Sequence, residues 1–404
     1  MTKTRNPLES THSRMKNIAI IGGGIGGLST ANCLQHHGID FDVFEQAPEL
    51  TEIGAGVGLS AAPIQILSYL GLDKKLMAAG APISGACMMD KHFHTVRQIT
   101  LSRLNVCIHR ARLIDILSKN IPSKKIHLNK KVLNIEDLVN DKTGSRQVKI
   151  YFDDGSTSVC DLLIVADGIN SAIRRQLFPE IEIRFSKHII WRGITTQRLP
   201  GDLAEKFIEI WDRGRRFLCI SIDSNRSFWL ALDRGEPGGR DNPDTIKQEL
   251  LHKFADFDEF VGELIRDTEN IIRNDLADLG GFTRDWHKGN VVFVGDSIHA
   301  TTPNLAQGAC QAIEDAWCLA KCLKKAFDAA PASGTINPGE IFADYQKRRE
   351  KKVMEIVRIS WLFGKLAHAK SPAVNAFSRL MWRLLPNSVM RKQEKQLNDL
   401  SYNE

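Results

Sequence analysis

The chain has 404 residues, 43% hydrophobic and 25% charged, with a formal net charge of +6. This is the balance of an ordinary globular protein, too long for one core of usual size and so expected to divide into two domains. The mild positive charge suits anionic cofactors and substrates, but the basic residues are spread out and form no nucleic-acid motif, which disfavours nucleic-acid binding.

Residues 1–14 are polar and lack the apolar stretch of a signal peptide, so they are expected to be a disordered lead-in, with Met15 an alternative start. The first element is the apolar run Ile18-Ala19-Ile20-Ile21, which reads as a strand buried on both faces. It runs into Gly22-Gly23-Gly24-Ile25-Gly26-Gly27, in which Gly22, Gly24 and Gly27 satisfy G-x-G-x-x-G. Leu28, Ala31 and Leu34 then recur at helical spacing up to Gly38, and a second strand, Phe41-Asp42-Val43-Phe44, ends on Glu45. Each part has a task in dinucleotide binding. Gly22 permits the tight turn, Gly24 the approach of a pyrophosphate, and Gly27 close helix–strand packing. The phosphates sit at the helix N-terminus, and the carboxylate of Glu45 accepts from the ribose hydroxyls.

A second glycine-rich loop, Ile53-Gly54-Ala55-Gly56-Val57-Gly58, precedes an amphipathic run ending at Gly71. A helix is expected around Arg110–Leu117, and strands at 125–128, 132–135 and 148–152, with a hairpin turn at Asp153-Asp154-Gly155. The run Leu162-Leu163-Ile164-Val165-Ala166-Asp167-Gly168 reads as another buried strand ending on an acid and a glycine. Between about 184 and 285 aromatic and β-branched strand signals dominate, and 245–265 looks helical, which indicates an inserted antiparallel sheet. The nucleotide-binding part returns with Val291-Val292-Phe293-Val294-Gly295-Asp296, a loop carrying His299 and Pro303, and a long helix opening at Gln307-Gly308-Ala309. Two amphipathic runs in the tail are expected to pack on the protein's own surface, membrane-surface binding being the other reading.

The eight cysteines form no C-x-x-C, and Cys318 and Cys322, one helical turn apart, lack a matching His/Cys pair. They are expected to be core thiols of a cytoplasmic protein without a metal site. No apolar run approaches the roughly 18 residues of a membrane span.

Together the three motifs (Gly22–Gly27 with Glu45, Asp167-Gly168, and Gly295-Asp296 followed by Pro303 and Gln307-Gly308) resemble the single-component FAD-dependent aromatic hydroxylases, the group acting on salicylate, urate and hydroxybenzoate. The resemblance spans residues 16–345 and implies an α/β fold. In it a Rossmann-like FAD-binding domain (15–183, returning at 286–335) carries an inserted antiparallel-sheet substrate domain (184–285) and a C-terminal helical region (336–404). It implies non-covalent FAD held by Gly22, Gly24, Gly27, Glu45, Gln46, Gly56, Gly58, Arg110 of His109-Arg110-Ala111, Val132 at the adenine, Asp167, Gly168, Asp296 at the ribityl chain, and Gln307, Gly308 and Ala309 at the flavin. Val132 also reads as strand core, and Asp167-Gly168 as a structural turn. An NAD dehydrogenase would not require the second acid-bearing strand end at Asp296, whereas the ribityl hydroxyls of FAD do.

The implied reaction uses NADH or NADPH and O2 to hydroxylate a small aromatic or phenolic molecule through a flavin C4a-hydroperoxide, with water excluded. Substrate-binding candidates are Arg216, placed where urate-hydroxylating relatives carry a substrate-binding arginine and read either as an anchor for an anionic group or as a solvated strand-edge arginine, Phe228 in place of their tyrosine, and Trp191, Arg192 and Trp211. The missing phenolic hydroxyl at Phe228 argues against urate. Two other readings fit the same motifs: oxygenation of an alkene or quinone-type lipid, and a non-catalytic flavin redox sensor. Partners are otherwise small molecules, and the chain is expected to be a monomer or homodimer.

Overall fold

In the computed structural model the described residues are 17–50, 55–139, 146–280, 285–330 and 336–401. The lead-in, Met15, Ile53 and Gly54 lie outside them. The strand Ile18–Ile21 is buried at every position, as a run without alternation requires. It sits inside a six-stranded sheet in the order His287–Lys288, Val291–Phe293, Leu162–Val165, Ile18–Ile21, Asp42–Phe44, Ile126–His127. All neighbours are parallel except the edge pair His287–Lys288 with Val291–Phe293. Parallel strands need helical cover on their faces, and helices Ile25–His36 and Gly308–Ala329 share the same apolar core with them. The strand ends Ile21, Val165 and Phe293 are brought level by the register Ile21↔Val165 and Val165↔Phe293. The three loops that follow them therefore open on one edge of the sheet.

The second sheet has eight strands, in the order Ile272–Asp278, Arg184–Thr195, Ser227–Arg234, Arg215–Ser221, Lys206–Asp212, Ala81–Met89, Thr95–His109, Gly56–Leu59. Three of these strands come from residues 56–109, so a domain boundary at 184 divides this sheet, and the expectation that 15–183 belongs wholly to the nucleotide-binding part is corrected. The long hairpin Ala81–Met89 with Thr95–His109 is the element that brings the chain across.

Side chains alternate across this sheet. Ile208, Ile210, Phe217, Cys219, Trp229 and Ala231 face helices Ile246–Lys253 and Glu259–Asp267, forming a separate apolar core. The opposite face, with Leu218, Ile220, Phe228 and Leu232, looks away from those helices. A three-stranded antiparallel sheet (Val132–Val139, Arg146–Phe152, Thr157–Cys160) includes the expected hairpin, with Gly155 in the left-handed region at φ +80°. All eight cysteines are buried and unbridged.

The chain ends in helices Pro338–Ala367, Pro372–Leu384 and Asn387–Leu397. The first packs Ile341, Phe342, Tyr345, Val353 and Val357 into the main core. It also buries Arg349, whose guanidinium donates to Asp315 Oδ1 and Glu314 Oε2, both at 2.8 Å, and to Gln311 Oε1 at 2.7 Å. Three fully buried charges in one cluster are tolerated because each has a partner; removing one would leave another uncompensated, at a cost of about 3–5 kcal/mol.

Candidate active site

The glycines of the first loop have different reasons for being glycine. Gly22 turns in the left-handed region at φ +106°, and a Cβ there would lie 2.4 Å from Ala166 O. A Cβ on Gly27 would lie 1.8 Å from Gly22 O, so close packing of helix on turn excludes it. Around Gly24 a Cβ would meet no atom of the described residues within 4 Å. The protein itself leaves that space open, above the uncapped N-terminus of helix Ile25–His36. Free N–H groups facing open space form a cradle for an anion.

Glu45 stands beside this cradle. Its Oε2 accepts from Gly23 N at 2.5 Å and its Oε1 from Ala47 N at 2.8 Å. Each oxygen keeps a second lone pair for a hydroxyl. Gln46 is exposed next to it, and the Lys130 amide donates to Glu45 O, which draws the start of strand Val132–Val139 alongside. The Val132 side chain itself enters the core.

The second loop follows Val291–Phe293. Gly295, at φ +60°, donates its N–H to Asp315 Oδ2 at 2.9 Å. The same oxygen lies 2.5 Å from His299 Nε2, so His299 is committed to Asp315, as a loop histidine satisfied within the protein. Burial opposes ionisation of Asp315, but His299 and Arg349 together hold its carboxyl down at about 2.

Asp296, by contrast, is solvent-accessible although protein crowds it from every side, as a residue on the floor of a cleft would be. That crowding pushes its carboxyl up, while the charges of His299 and Arg110 pull against the rise. A Cβ on Gly308 would stand 3.7 Å from Asp296 Oδ1, which places the carboxylate beside the first turn of helix Gly308–Ala329. Gln307 is buried behind that turn, and Ala306, left-handed at φ +52°, aims the chain into it.

The third loop, Asp167-Gly168, lies between the other two. Arg174 braces it, donating to Ser297 O at 2.8 Å and to Ile169 O at 2.5 Å. Asp167 Oδ1 is buried and, among the described residues, has no hydrogen-bond partner; burial pushes this carboxyl up as well. A buried acceptor without a partner marks where a ligand donor belongs. Gly168 is left-handed at φ +79°, and a Cβ there would meet no atom of the described residues within 4 Å.

The eight-stranded sheet closes the cleft. Its strand Gly56–Leu59 lies on the opening of helix Gly308–Ala329, where Gly58 O accepts from Cys310 Sγ at 3.4 Å. A Cβ on Gly56 would lie 2.7 Å from the Phe228 ring, so the glycine loop and Phe228 are in direct contact. Arg192 lies on the same face; burial lowers the pKa of Arg110, the charge of Asp296 raises it, and that of Arg192 lowers it again. Arg192 Nε is buried and, among the described residues, without a partner.

Two substrate candidates are placed differently from expectation. Trp191 is on the far face, in the core under the helices, with Nε1 donating to Asp241 at 2.7 Å, and so does not line the cleft. Arg216 is on the cleft face and donates to Asn304 Oδ1 at 2.6 Å in the Pro303–Leu305 turn, but its Nε donates to Glu209 Oε1 at 2.8 Å. Its charge is therefore neutralised internally, and it does not present the free anion anchor expected. Trp211 shares Glu209 and faces the C-terminal helices through Phe363 and Trp382. The sequence reading missed Arg174, Glu209, Asn304, Asp315 and Arg349. Only the neighbouring acids Glu314-Asp315 within an apolar helix gave a signal for them. A groove of about 920 Å³ lined by His287, Gln346, Arg358 and Leu362 lies on helix Pro338–Ala367 and contains none of these residues.

An open glycine turn at one helix N-terminus with Glu45 beside it, and Asp296 beside a second helix N-terminus, fit a two-sheet flavoprotein. The chain belongs to the FAD binding domain family, whose model matches residues 15–360. It is 32% identical to the aurachin C monooxygenase/isomerase of Stigmatella aurantiaca over 86% of this chain and 89% of that one. It is 31% identical to the 2-heptyl-3-hydroxy-4(1H)-quinolone synthase of Pseudomonas aeruginosa, over 94% of this chain and 97% of that one. The fold is that of Klebsiella pneumoniae HpxO complexed with FAD and uric acid: TM-score 0.83, 24% identity, covering 96% and 98% of the two chains. The protein is an FAD-dependent monooxygenase with NAD(P)H as co-substrate, as its motifs implied.

Proposed function

We propose that this enzyme hydroxylates a bicyclic aromatic of the 4-quinolone type that carries an apolar side chain. The observation that supports this reading is the sheet face over the cleft. Ile83, Ile190, Leu218, Ile220, Phe228 and Leu232 form an apolar wall, and Arg216 within it is already neutralised by Glu209. Such a wall favours an alkyl chain by about 0.8 kcal/mol per buried CH2 and penalises an unpaired carboxylate. A relative of 31% identity is, by its name, a synthase of a heptyl-bearing 3-hydroxy-4-quinolone.

The residues assigned to FAD follow from the three loops. The open space at Gly24 and the helix N-terminus take the pyrophosphate, Glu45 the adenosine ribose, and Asp296 the ribityl chain. The first turn at Gln307, Gly308 and Ala309 takes the flavin edge, with Asp167 and Gly168 between. When bound, FAD accepts hydride from NAD(P)H and activates O2 for transfer of one oxygen atom. The balanced reaction is substrate–H + O2 + NAD(P)H + H+ giving substrate–OH + H2O + NAD(P)+. The protein's own residues position and shield. Phe228 against Gly56 holds the wall to the loop, the apolar face excludes water, and Arg110, with Arg192 close to it, supplies positive charge beside Asp296.

The test is a substrate comparison on the yellow holoenzyme, following NADPH loss, peroxide release and product mass. A 2-alkyl-4-quinolone unsubstituted at position 3 should accelerate NADPH oxidation without proportionate peroxide and gain one oxygen. The tailless quinolone should show a much higher KM. Stimulation by urate or salicylate, and none by the alkylquinolone, would overturn the reading.

A further inference from the structure

Helix Pro372–Leu384 turns its apolar face outward. Phe377, Leu380, Met381 and Leu384 follow helical spacing along one stripe, and Leu384 is 69% and Phe377 59% exposed. Leu362 and Leu366 before the helix and Val389 after it are exposed as well. Seven of the thirteen exposed large hydrophobic residues described thus lie between 362 and 389, a cluster and not the usual single scatter.

The helix is fixed with this face out. On its inner side Trp382 packs on Trp211 and Phe363. Arg97 donates to Arg383 O at 3.1 Å, Leu385 O at 2.9 Å and Asn387 Oδ1 at 2.5 Å, holding the helix C-terminus to the long hairpin. The expectation that both tail runs would cover the protein's own surface therefore holds for Pro338–Ala367 and fails for Pro372–Leu384.

The charge around the stripe has one sign. From 356 to 393 the sequence contains seven lysines and arginines and no aspartate or glutamate. Arg358, Lys365, Lys370, Arg383, Arg391 and Lys392 are exposed. No helix among the described residues is long and apolar enough to cross a membrane. An apolar stripe flanked by basic side chains is instead the pattern of a helix lying in the headgroup layer of an anionic bilayer.

We propose that the enzyme docks peripherally on anionic lipid surfaces through this stripe, with Phe377, Leu380, Met381 and Leu384 among the acyl chains and the basic residues at the headgroups. A second copy of the chain fits the face less well, because a self-complementary contact would bring the same positive charges together. The inner side of the helix rests on Trp211, whose strand forms part of the cleft wall, so docking brings the cleft near the bilayer. The proposal stands whatever the substrate is.

The test is flotation of the full-length holoenzyme with vesicles of phosphatidylcholine containing phosphatidylglycerol, and with phosphatidylcholine alone. The anionic vesicles should carry the protein, with at least tenfold weaker binding to neutral ones and release by high salt. Phe377→Ser with Leu384→Ser should reduce binding at least tenfold while FAD content and substrate-free NADPH oxidation stay unchanged. Arg391→Glu with Lys392→Glu should abolish the preference for anionic lipid. Protein that stays unbound with anionic vesicles, or floats equally well in the Phe377/Leu384 variant, overturns the proposal. So does a dimer in sedimentation that the same variant dissociates, since a second copy would then cover the face.

Discussion

Glu209 and Arg216 form a buried ion pair between adjacent antiparallel strands, and Trp211 Nε1 donates to the same Glu209 oxygen at 2.5 Å. The pair neutralises the middle of the cleft wall. Glu209→Gln would leave Arg216 charged and buried, so unfolding in urea should lose about 3–5 kcal/mol. Glu209→Leu with Arg216→Met should recover most of that loss. A Glu209→Gln protein as stable as the parent would mean water reaches the pair.

Gly24 and Gly27 separate cofactor binding from folding. Gly27→Ala places a Cβ 1.8 Å from Gly22 O and should yield little folded protein. Gly24→Ala meets no atom of the described residues within 4 Å, so it should fold with an unchanged circular dichroism spectrum yet purify with far less flavin. Equal flavin content in Gly24→Ala and the parent would remove the pyrophosphate from this position.

Glu45→Ala should raise the FAD dissociation constant at least tenfold, since hydrogen bonds to a charged group contribute about 1.5–3 kcal/mol each. Glu45→Gln retains one acceptor and should fall between. Fluorescence titration of the apoprotein with FAD reads both; an unaltered constant in the alanine variant refutes the ribose role.

Asp296→Ala should give folded, nearly colourless protein that takes up flavin at millimolar FAD, because the cradle and Glu45 remain. Asp296→Asn keeps an acceptor and should hold more flavin. Loss of a negative charge should also make bound FAD easier to reduce, measured as a higher potential in dye-linked titration. Parent-like flavin content in both variants would exclude Asp296 from the ribityl site.

His368 sets a pH limit. Its Nδ1 donates to Gly214 O at 2.9 Å and its Nε2 accepts from Arg216 Nη1 at 3.4 Å, and burial with the nearby Arg216 charge pushes its pKa down to about 2. The unfolded chain takes up this proton near pH 6.5 and the folded protein does not, so stability is full above 6.5 and falls below it. Between pH 7 and 5 this one group should cost about 2 kcal/mol. Gln at 368 can replace both hydrogen bonds without titrating, so His368→Gln should show a shallower loss over that window in urea midpoints. Parallel pH profiles for the two proteins would count against it.

The phosphate-binding half was legible because its rules are steric and local: Gly22 needs a left-handed turn, and Ile18–Ile21 needs cover on both sides. The side of the sheet that Trp191 faces was not legible. Ile189-Ile190-Trp191 is apolar without alternation, and its parity follows a register shift between Phe185 and Ile189 against the neighbouring strand. Arg216 lies on the cleft face, but its neutralisation depends on Glu209, seven residues earlier in another strand, a pairing that only the folded register brings about. The hairpin strand Thr95–His109 escaped notice because half-exposed Arg97 and exposed Gln98 and Arg103 dilute any apolar signal.

The clamp of Arg349 on Asp315, and of Asp315 on the Gly295 amide, means that the cofactor site is not a detachable module. A fragment ending before residue 336 would keep every glycine motif and yet lose the guanidinium that keeps Asp315 ionised in the core. Grafting or truncation schemes that cut at the last recognisable motif would therefore be expected to yield poorly folded protein, since helix Pro338–Ala367 also braces the Pro303–Leu305 turn through Asn304 and Ser360.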